Sequence, residues 1–554
     1  MKTYRFFKIL ICLSLFLIFL NSITQAKNVQ ISGKVFDVVT KQELSDATIY
    51  ITNLTSQITD STFTNSSGYW EYIFPTSSVD NGKTLPTQFR VSQNYPNPFN
   101  PSTKINFFIP LNGEVKVTVY NTLGKTIDSH IEYLESGSYS IEWSAKGSAG
   151  VYFLNLKTKS GSATIKMIQL DCGLGYGLSH FRLHSNDYQN NQLSKISTTI
   201  PIQITVSKFG YLAHEIEAEV EDGEYFEISI ETIHSHSTLV DLHNDILEKM
   251  IDDPNYHLSE LHNYNHTDIP RLKIGGVDVQ FFAVWVSPYS HGHDSYNHAM
   301  AMIDIFNTEM SLNSITIEQA RTASEAVSIH SNNKIAAVLA VEGGHAIEND
   351  IQKLISLYEA GMRYLTITWN NSTDWAVSAQ DSRSATVGLS EFGKQVIKTL
   401  DSLGVVIDIS HTGIKTIEDI LTITENPIVA THSGVRTLRD HYRNLYDSQI
   451  IDIANSGGVI GVVFYPPYLS NTGYANIASV ANHIDYIVNL VGIDYVALGS
   501  DFDGIGTNVV QGLEDVTKFP DLTLELLRRD YSQSDIEKIL GGNFMRVFEQ
   551  VCGE

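Results

Sequence analysis

The chain has 554 residues, enough for roughly two to four domains with real cores. Its hydrophobic share of 42% and charged share of 18% are ordinary for globular protein. A formal net charge of −25 argues against nucleic acid or an anionic membrane as partner, since both require basic patches.

Residues 1–26 read as a signal peptide. Lys2, Arg5 and Lys8 form a basic start, ILICLSLFLIFL (9–20) is the apolar stretch, and Thr24 and Ala26 set small residues before a cut after Ala26. That stretch is shorter than the roughly 20 residues of a membrane-spanning helix. The mature chain is therefore expected to have no transmembrane span and to be exported to the periplasm, the cell surface or the medium. Cleavage leaves Cys172 and Cys552, which make no disulfide framework.

The next stretch reads as short strands and turns: ISGKVFD, ATIYITN and TNSSGYW. With its G-x-V-x-D opening, and a V-x-K-x-G-Y strand that follows residue 200, it resembles the carboxypeptidase-regulatory-like β-sandwich. The expected sandwich has two halves, 27–79 and 199–233. Between them, residues 80–170 carry QNYPNPFNPST and the strand-like runs VKVTVYNTLGK, YSIEWSAKG, AGVYFLNLKTKSG and ATIKMIQL. This inserted β module resembles the C-terminal sorting module of type IX secretion. Such a module normally ends a chain, so an internal copy leaves open whether it sorts or acts as a spacer. Residues 171–198, rich in Gly, Asn and Ser, read as linker.

From residue 239 onward, apolar runs alternate with amphipathic stretches, as in βα repeats. The runs are TLVDLHND, VDVQFFAVWV, IAAVLAVEGG, RYLTITWN, VVIDIS, PIVATHS, GVIGVVFY and YVALGSDFDG. Eight such runs suit an α/β fold of the closed (β/α)8 TIM-barrel type over 239–554. Helices are expected at 389–403 and 477–491. An open doubly wound sheet is the rival, and no G-x-G-x-x-G loop supports it.

Barrel chemistry gathers at the C-terminal strand ends. Those ends carry His243 and Asp245 (first strand), Glu342 (third), His411 (fifth), His432 (sixth) and Asp501 (eighth). Any one alone reads as a polar cap; together on one rim they read as metal ligands. His243 and Asp245 suit one metal, His411 and His432 a second, with Glu342 bridging. A bridged pair fits two-metal hydrolysis.

DLHNDIL, VEGGHAI, EAGMRYLTITWN, GVVIDISHTG, ATHSGVR, the Arg443-Asn444 pair, LGSDFDG and NFMRVFEQV occur in order. Together they resemble the membrane dipeptidase (renal dipeptidase) family. The resemblance implies a dipeptidase with two zinc ions per chain, small dipeptides as substrates, a homodimer, and hydrolysis by a hydroxide held between the metals. It assigns Asp501 as acid/base and Arg443 as a substrate contact, and Tyr465 would line the pocket. One departure stands out: where the family reads histidine after the fourth strand, this chain has Trp369. Either Trp369 faces the substrate and narrows the pocket, or it packs aside and Asn370 or Asn371 reaches inward. Asp503 is expected to cap the loop after the eighth strand. Two rival functions remain at this point. One is another two-metal amidohydrolase acting on acetyl groups, cyclic amides or lactones; the other is a non-catalytic surface binding protein with a vestigial site.

Overall fold

A computed structural model of the chain describes residues 29–74, 89–95, 97, 99, 102–145, 149–169, 177–183 and 199–553. The signal-peptide segment and Cys172 lie outside the described residues. The chain divides into two compact units, Met1–Glu231 and Thr232–Glu554.

In the first unit the strands run β1 (Gln30–Asp37), β2 (Thr48–Asn53), β3 (Ile58–Phe63) and β4 (Tyr69–Ile73). Then come β5 (Arg90–Val91), β6 (Ser102–Ile109), β7 (Gly113–Asn121), β8 (Thr126–Leu134), β9 (Gly137–Ser144), β10 (Gly150–Thr158), β11 (Gly161–Gln169), β12 (Gly177–Leu178) and β13 (Arg182–Leu183). β14 (Ile200–Ser207), β15 (His214–Val220) and β16 (Glu224–Ile230) complete it.

Strands from either side of the long middle stretch share two sheets, ordered β16-β1-β4 and β15-β14-β2-β3. β1 pairs in parallel with β16, Ile31 opposite Glu224. Its alternation sends Ile31 and Val35 into a core with Ile49, Trp70, Ile204 and Ile228. The glycine of the G-x-V-x-D opening has a steric reason: a Cβ on Gly33 would stand 2.4 Å from the Phe226 carbonyl oxygen. The middle stretch forms its own pair of sheets, β11-β10-β7-β8 and β12-β9-β6-β5, around Ile105, Val117, Ile141, Trp143, Leu154 and Met167. Here the linker reading needs correction. Residues 177–183 add β12 and β13 along β9, and Leu178 and Phe181 pack on the module's core.

In the second unit, β17 (Val240–Asp241), β18 (Val279–Trp285), β20 (Ile335–Glu342), β21 (Met362–Thr366), β22 (Val406–Asp408), β23 (Ile428–Ser433), β24 (Ile460–Val462) and β25 (Val496–Leu498) pair in parallel. The ring closes because β17 pairs with both β18 and β25, giving a TIM barrel. A further short strand, β19 (Ile317–Gln319), pairs with the start of β20 and escaped the sequence reading. Helices Glu391–Leu403 and Ile477–Val491 lie where expected.

Every residue of β20 is buried, yet its two faces differ. Ile335, Ala337, Leu339 and Val341 belong to the cluster formed with the helices. Ala336, Val338 and Ala340 belong to an inner cluster with Val240, Tyr364, Val406, Val429 and Ala497. Strand parity therefore turns Glu342, the next even position, into the barrel. The same parity turns Tyr364, Thr366 and Asp408 inward on the neighbouring strands.

Candidate metal centre

His243 and Asp245 follow the end of β17, held by a parallel bridge from Asn244 to Phe502. His243 Nε2 lies 3.4 Å from Asp245 Oδ2 and 3.5 Å from Glu342 Oε2. The other Glu342 oxygen, Oε1, is 2.9 Å from His411 Nε2 and 3.4 Å from His432 Nε2. One carboxylate thus faces His243 with one oxygen and the His411–His432 pair with the other. Asp501 closes the group: ligand atoms of His243, Asp245 and Asp501 lie within 4.8 Å of one another, as do those of His243, Glu342 and His432.

Each imidazole has its far nitrogen clamped. Tyr364 donates its hydroxyl to the Leu242 carbonyl and so accepts the Nδ1–H of His243, at 2.7 Å. Thr431 donates its hydroxyl to Asp408 Oδ2 and accepts from His432 Nδ1 at 2.9 Å. His411 donates from Nδ1 to Asn370 Oδ1 at 3.0 Å. With Nδ1 protonated on all three, the Nε2 lone pairs point into the cluster. His243 Nε2 and Asp245 Oδ1 are buried without hydrogen-bond partners. Converging imidazole nitrogens and carboxylates fit cations, and the mixed nitrogen and oxygen donors suit zinc.

Backbone strain supports the same reading. His411 and Asp501 adopt left-handed φ angles of 65° and 62°, uncommon for residues other than glycine. In the DFDG block, a Cβ on Gly504 would stand 2.2 Å from Asp245 Oδ2 and 2.6 Å from Asp501 Oδ1, so only glycine allows these carboxylates to approach. Asp503 plays the capping part. Its Oδ1 accepts from the His266 backbone N–H, and its own N–H donates to His266 Nδ1.

Burial would raise the Glu342 carboxyl, but His243, His411 and His432 outweigh it and hold the group well below its ordinary range. Asp245 is pushed up to about 6 by burial, with His243 opposing and Glu342 adding. Asp501 is raised well above its usual value by burial, and Asp245 and Glu342 contribute. Burial, helped by Arg443, lowers His411 to about 4; burial with His243 lowers His432 well below its ordinary value. Both imidazoles are thereby kept neutral, the form that binds metal.

Arg443 is 2% exposed. Its Nη2 donates to the His432 carbonyl at 2.9 Å, and its guanidinium lies over the Tyr468 ring. Nε and Nη1 have no acceptor. Arg443 and His411 line one cavity. Tyr465 packs edge-on against Tyr468, one ring removed from Arg443.

The family profile described as membrane dipeptidase (peptidase family M19) matches residues 228–553. This chain belongs to that family. Among curated proteins, the M19 stretch is 32% identical to Dipeptidase 3 of Rattus norvegicus over 326 residues, covering 56% of this chain and 65% of that protein. The match thus spans less than two thirds of that relative's length. Dipeptidase verJ of Clonostachys rogersoniana is 31% identical, with 52% of this chain and 76% of the relative covered. A metallo peptidase structure from Rhodobacter sphaeroides, liganded with a phosphinate mimic of the dipeptide L-Ala-D-Ala, superposes with a TM-score of 0.54 at 27% identity. That superposition covers 57% of this chain and 99% of that one. A second profile, the secretion system C-terminal sorting domain, matches residues 93–169.

Within this M19 barrel, Trp369 is half-buried, its ring 5.0 Å from Trp285, 6.1 Å from Tyr289 and 6.2 Å from His411. Asn370 is the neighbour that reaches a ligand. Tyr364, Asp408 and Thr431 were not foreseen. The signal that could have found them is inward parity on the strands, which Tyr364 shares with Val406 and Val429, the residues two positions before Asp408 and Thr431.

Proposed function

We propose that the barrel is a two-metal dipeptidase, exported from the cell, that hydrolyses the peptide bond of small dipeptides. The observation that carries this reading is Arg443. A buried guanidinium with two unpaired nitrogens, anchored to the backbone of His432, calls for an anion. A dipeptide places its free carboxylate within one residue of the scissile amide; an acetyl group or a lactone offers none there. The dipeptide mimic held by the Rhodobacter sphaeroides relative supports the same substrate class.

His243 and Asp245 would hold one zinc ion, His411 and His432 the other, and Glu342 both. Bound there, such ions would supply polarisation of the scissile carbonyl and a lowered pKa of water. The residues do the rest. Arg443 holds the substrate carboxylate and orients the amide. Asp501, whose buried carboxyl favours the protonated form, holds a proton at its carboxylate and passes it to the leaving amine. Trp369, with Trp285 and Tyr289, forms an aromatic wall that limits side-chain size. The sorting-domain match supports export, and no helix among the described residues is long and apolar enough to cross a membrane.

The test joins metal analysis to hydrolysis. The zinc-loaded chain should cleave members of an L,L and L,D dipeptide panel, and Glu342→Gln should abolish cleavage and lose two equivalents of metal relative to the parent. A zinc-loaded parent that cleaves no dipeptide would sink the proposal in favour of a vestigial binding site.

A further inference from the structure

β8 is a free edge of the sheet β11-β10-β7-β8. In its ladder with β7, Asp128 stands opposite Val119, His130 opposite Val117 and Glu132 opposite Val115. Those valines are buried in the module's core. Directly paired residues share a face, so β8 turns an acid, an imidazole and an acid toward the core side. Ile131 and Tyr133, at 51% and 69% exposure, face away. A strand patterned for burial would have the opposite alternation.

The inverted face has a covering. Leu178 donates its N–H to Asp128 Oδ2 at 2.8 Å. The Phe181 ring lies 5.0 Å from His130, and the His180 ring lies 5.3 Å from it at 82°. His130 Nε2 is 3.1 Å from Glu132 Oε2. One ligand atom each of His130, Glu132 and His180 falls within 4.8 Å of the others. His130 and Glu132 are two residues apart on a strand and so project together, while His180 arrives from residues 177–183.

We propose that His130, Glu132 and His180 form a third metal site, for a divalent ion of the zinc class with water completing its coordination. Two imidazoles and one carboxylate are a zinc donor set. The ion would staple residues 177–183 to the β8 edge, joining two stretches that, among the described residues, share the Leu178 hydrogen bond to Asp128 and ring packing. Half-buried ligands beside an exposed His180 give the ion a path from solvent. Inward-pointing charges also protect sheet edges from pairing, but that purpose requires nothing of His180. The site is independent of the barrel's chemistry.

The experiment uses the full chain, equilibrated with zinc and dialysed, against His180→Gln and a His130→Gln/His180→Gln double variant. Both variants should contain one equivalent less zinc than the parent, with the barrel's hydrolysis unchanged. Zinc should slow tryptic cleavage after the exposed Arg182 about tenfold in the parent and in neither variant. Because His180 is exposed, the single variant keeps the fold, which circular dichroism checks. Equal zinc content in all three proteins overturns the site and leaves the polar face as edge protection alone.

Discussion

Asp408 governs His432 without touching it. The Thr431 hydroxyl donates to Asp408 Oδ2 at 2.8 Å and receives the His432 Nδ1 proton at 2.9 Å. Asp408 is fully buried and also accepts from the Thr366 hydroxyl and the backbone N–H groups of Ser410 and Thr431. A carboxylate's pull thus reaches the imidazole through one hydroxyl, raising its strength as a donor.

Asp408→Asn should weaken zinc binding about 10–100-fold, the usual cost of losing an outer-shell partner. Competition with a chelator measures it. At saturating zinc, kcat should stay within a few-fold of the parent. Unchanged affinity would mean that the relay does not reach the metal.

A pH effect follows for Asp501. Its folded pKa lies well above its ordinary value, so the metal-free fold is favoured while the group stays protonated. That contribution is full below the unfolded carboxyl pKa, near 3.8, and is lost as pH rises through the folded value. In chelator, Asp501→Asn should therefore match the parent's thermal midpoint at pH 4 and exceed it at pH 8. A variant less stable than the parent at pH 8 would contradict the assignment.

Arg443→Gln should cost about 3 kcal/mol in kcat/KM, roughly two orders of magnitude, because a buried charge-assisted contact is lost. The parent should reject dipeptide amides, which lack the terminal carboxylate, and the variant should not distinguish them from the acids. Steady-state kinetics on matched acid and amide pairs decides it.

Trp369→His should admit bulkier side chains, raising kcat/KM for them roughly tenfold, and add a histidine limb to the pH profile. If substrate range and profile both match the parent's, the Trp369 ring serves only to pack against Trp285.

The barrel was legible because each strand is an apolar run, five of them ending in a donor residue, and because the parity of IAAVLAVE turns Glu342 inward. The five proposed ligands converge for the same reason. β19 was not legible, since IEQ is three residues with no apolar period. β12 and β13 are too short for alternation to show inside a Gly-rich stretch. The partners of the imidazoles were hidden for a different cause. That Tyr364 meets His243, and that Thr431 lies between Asp408 and His432, depends on the stagger of neighbouring strands, which the order of residues along one strand does not reveal.

The parallel pairing of Ile31 with Glu224 also dictates an order of events during synthesis. β1 leaves the ribosome early and has no partner on that side until β16 follows, whereas β5 to β13 contain all their own partners. The guest module can therefore finish folding while its host is still half made. A protease that later cuts on either side of the guest would leave the host as two fragments held together only by the β1–β16 and β2–β14 ladders and the core between them.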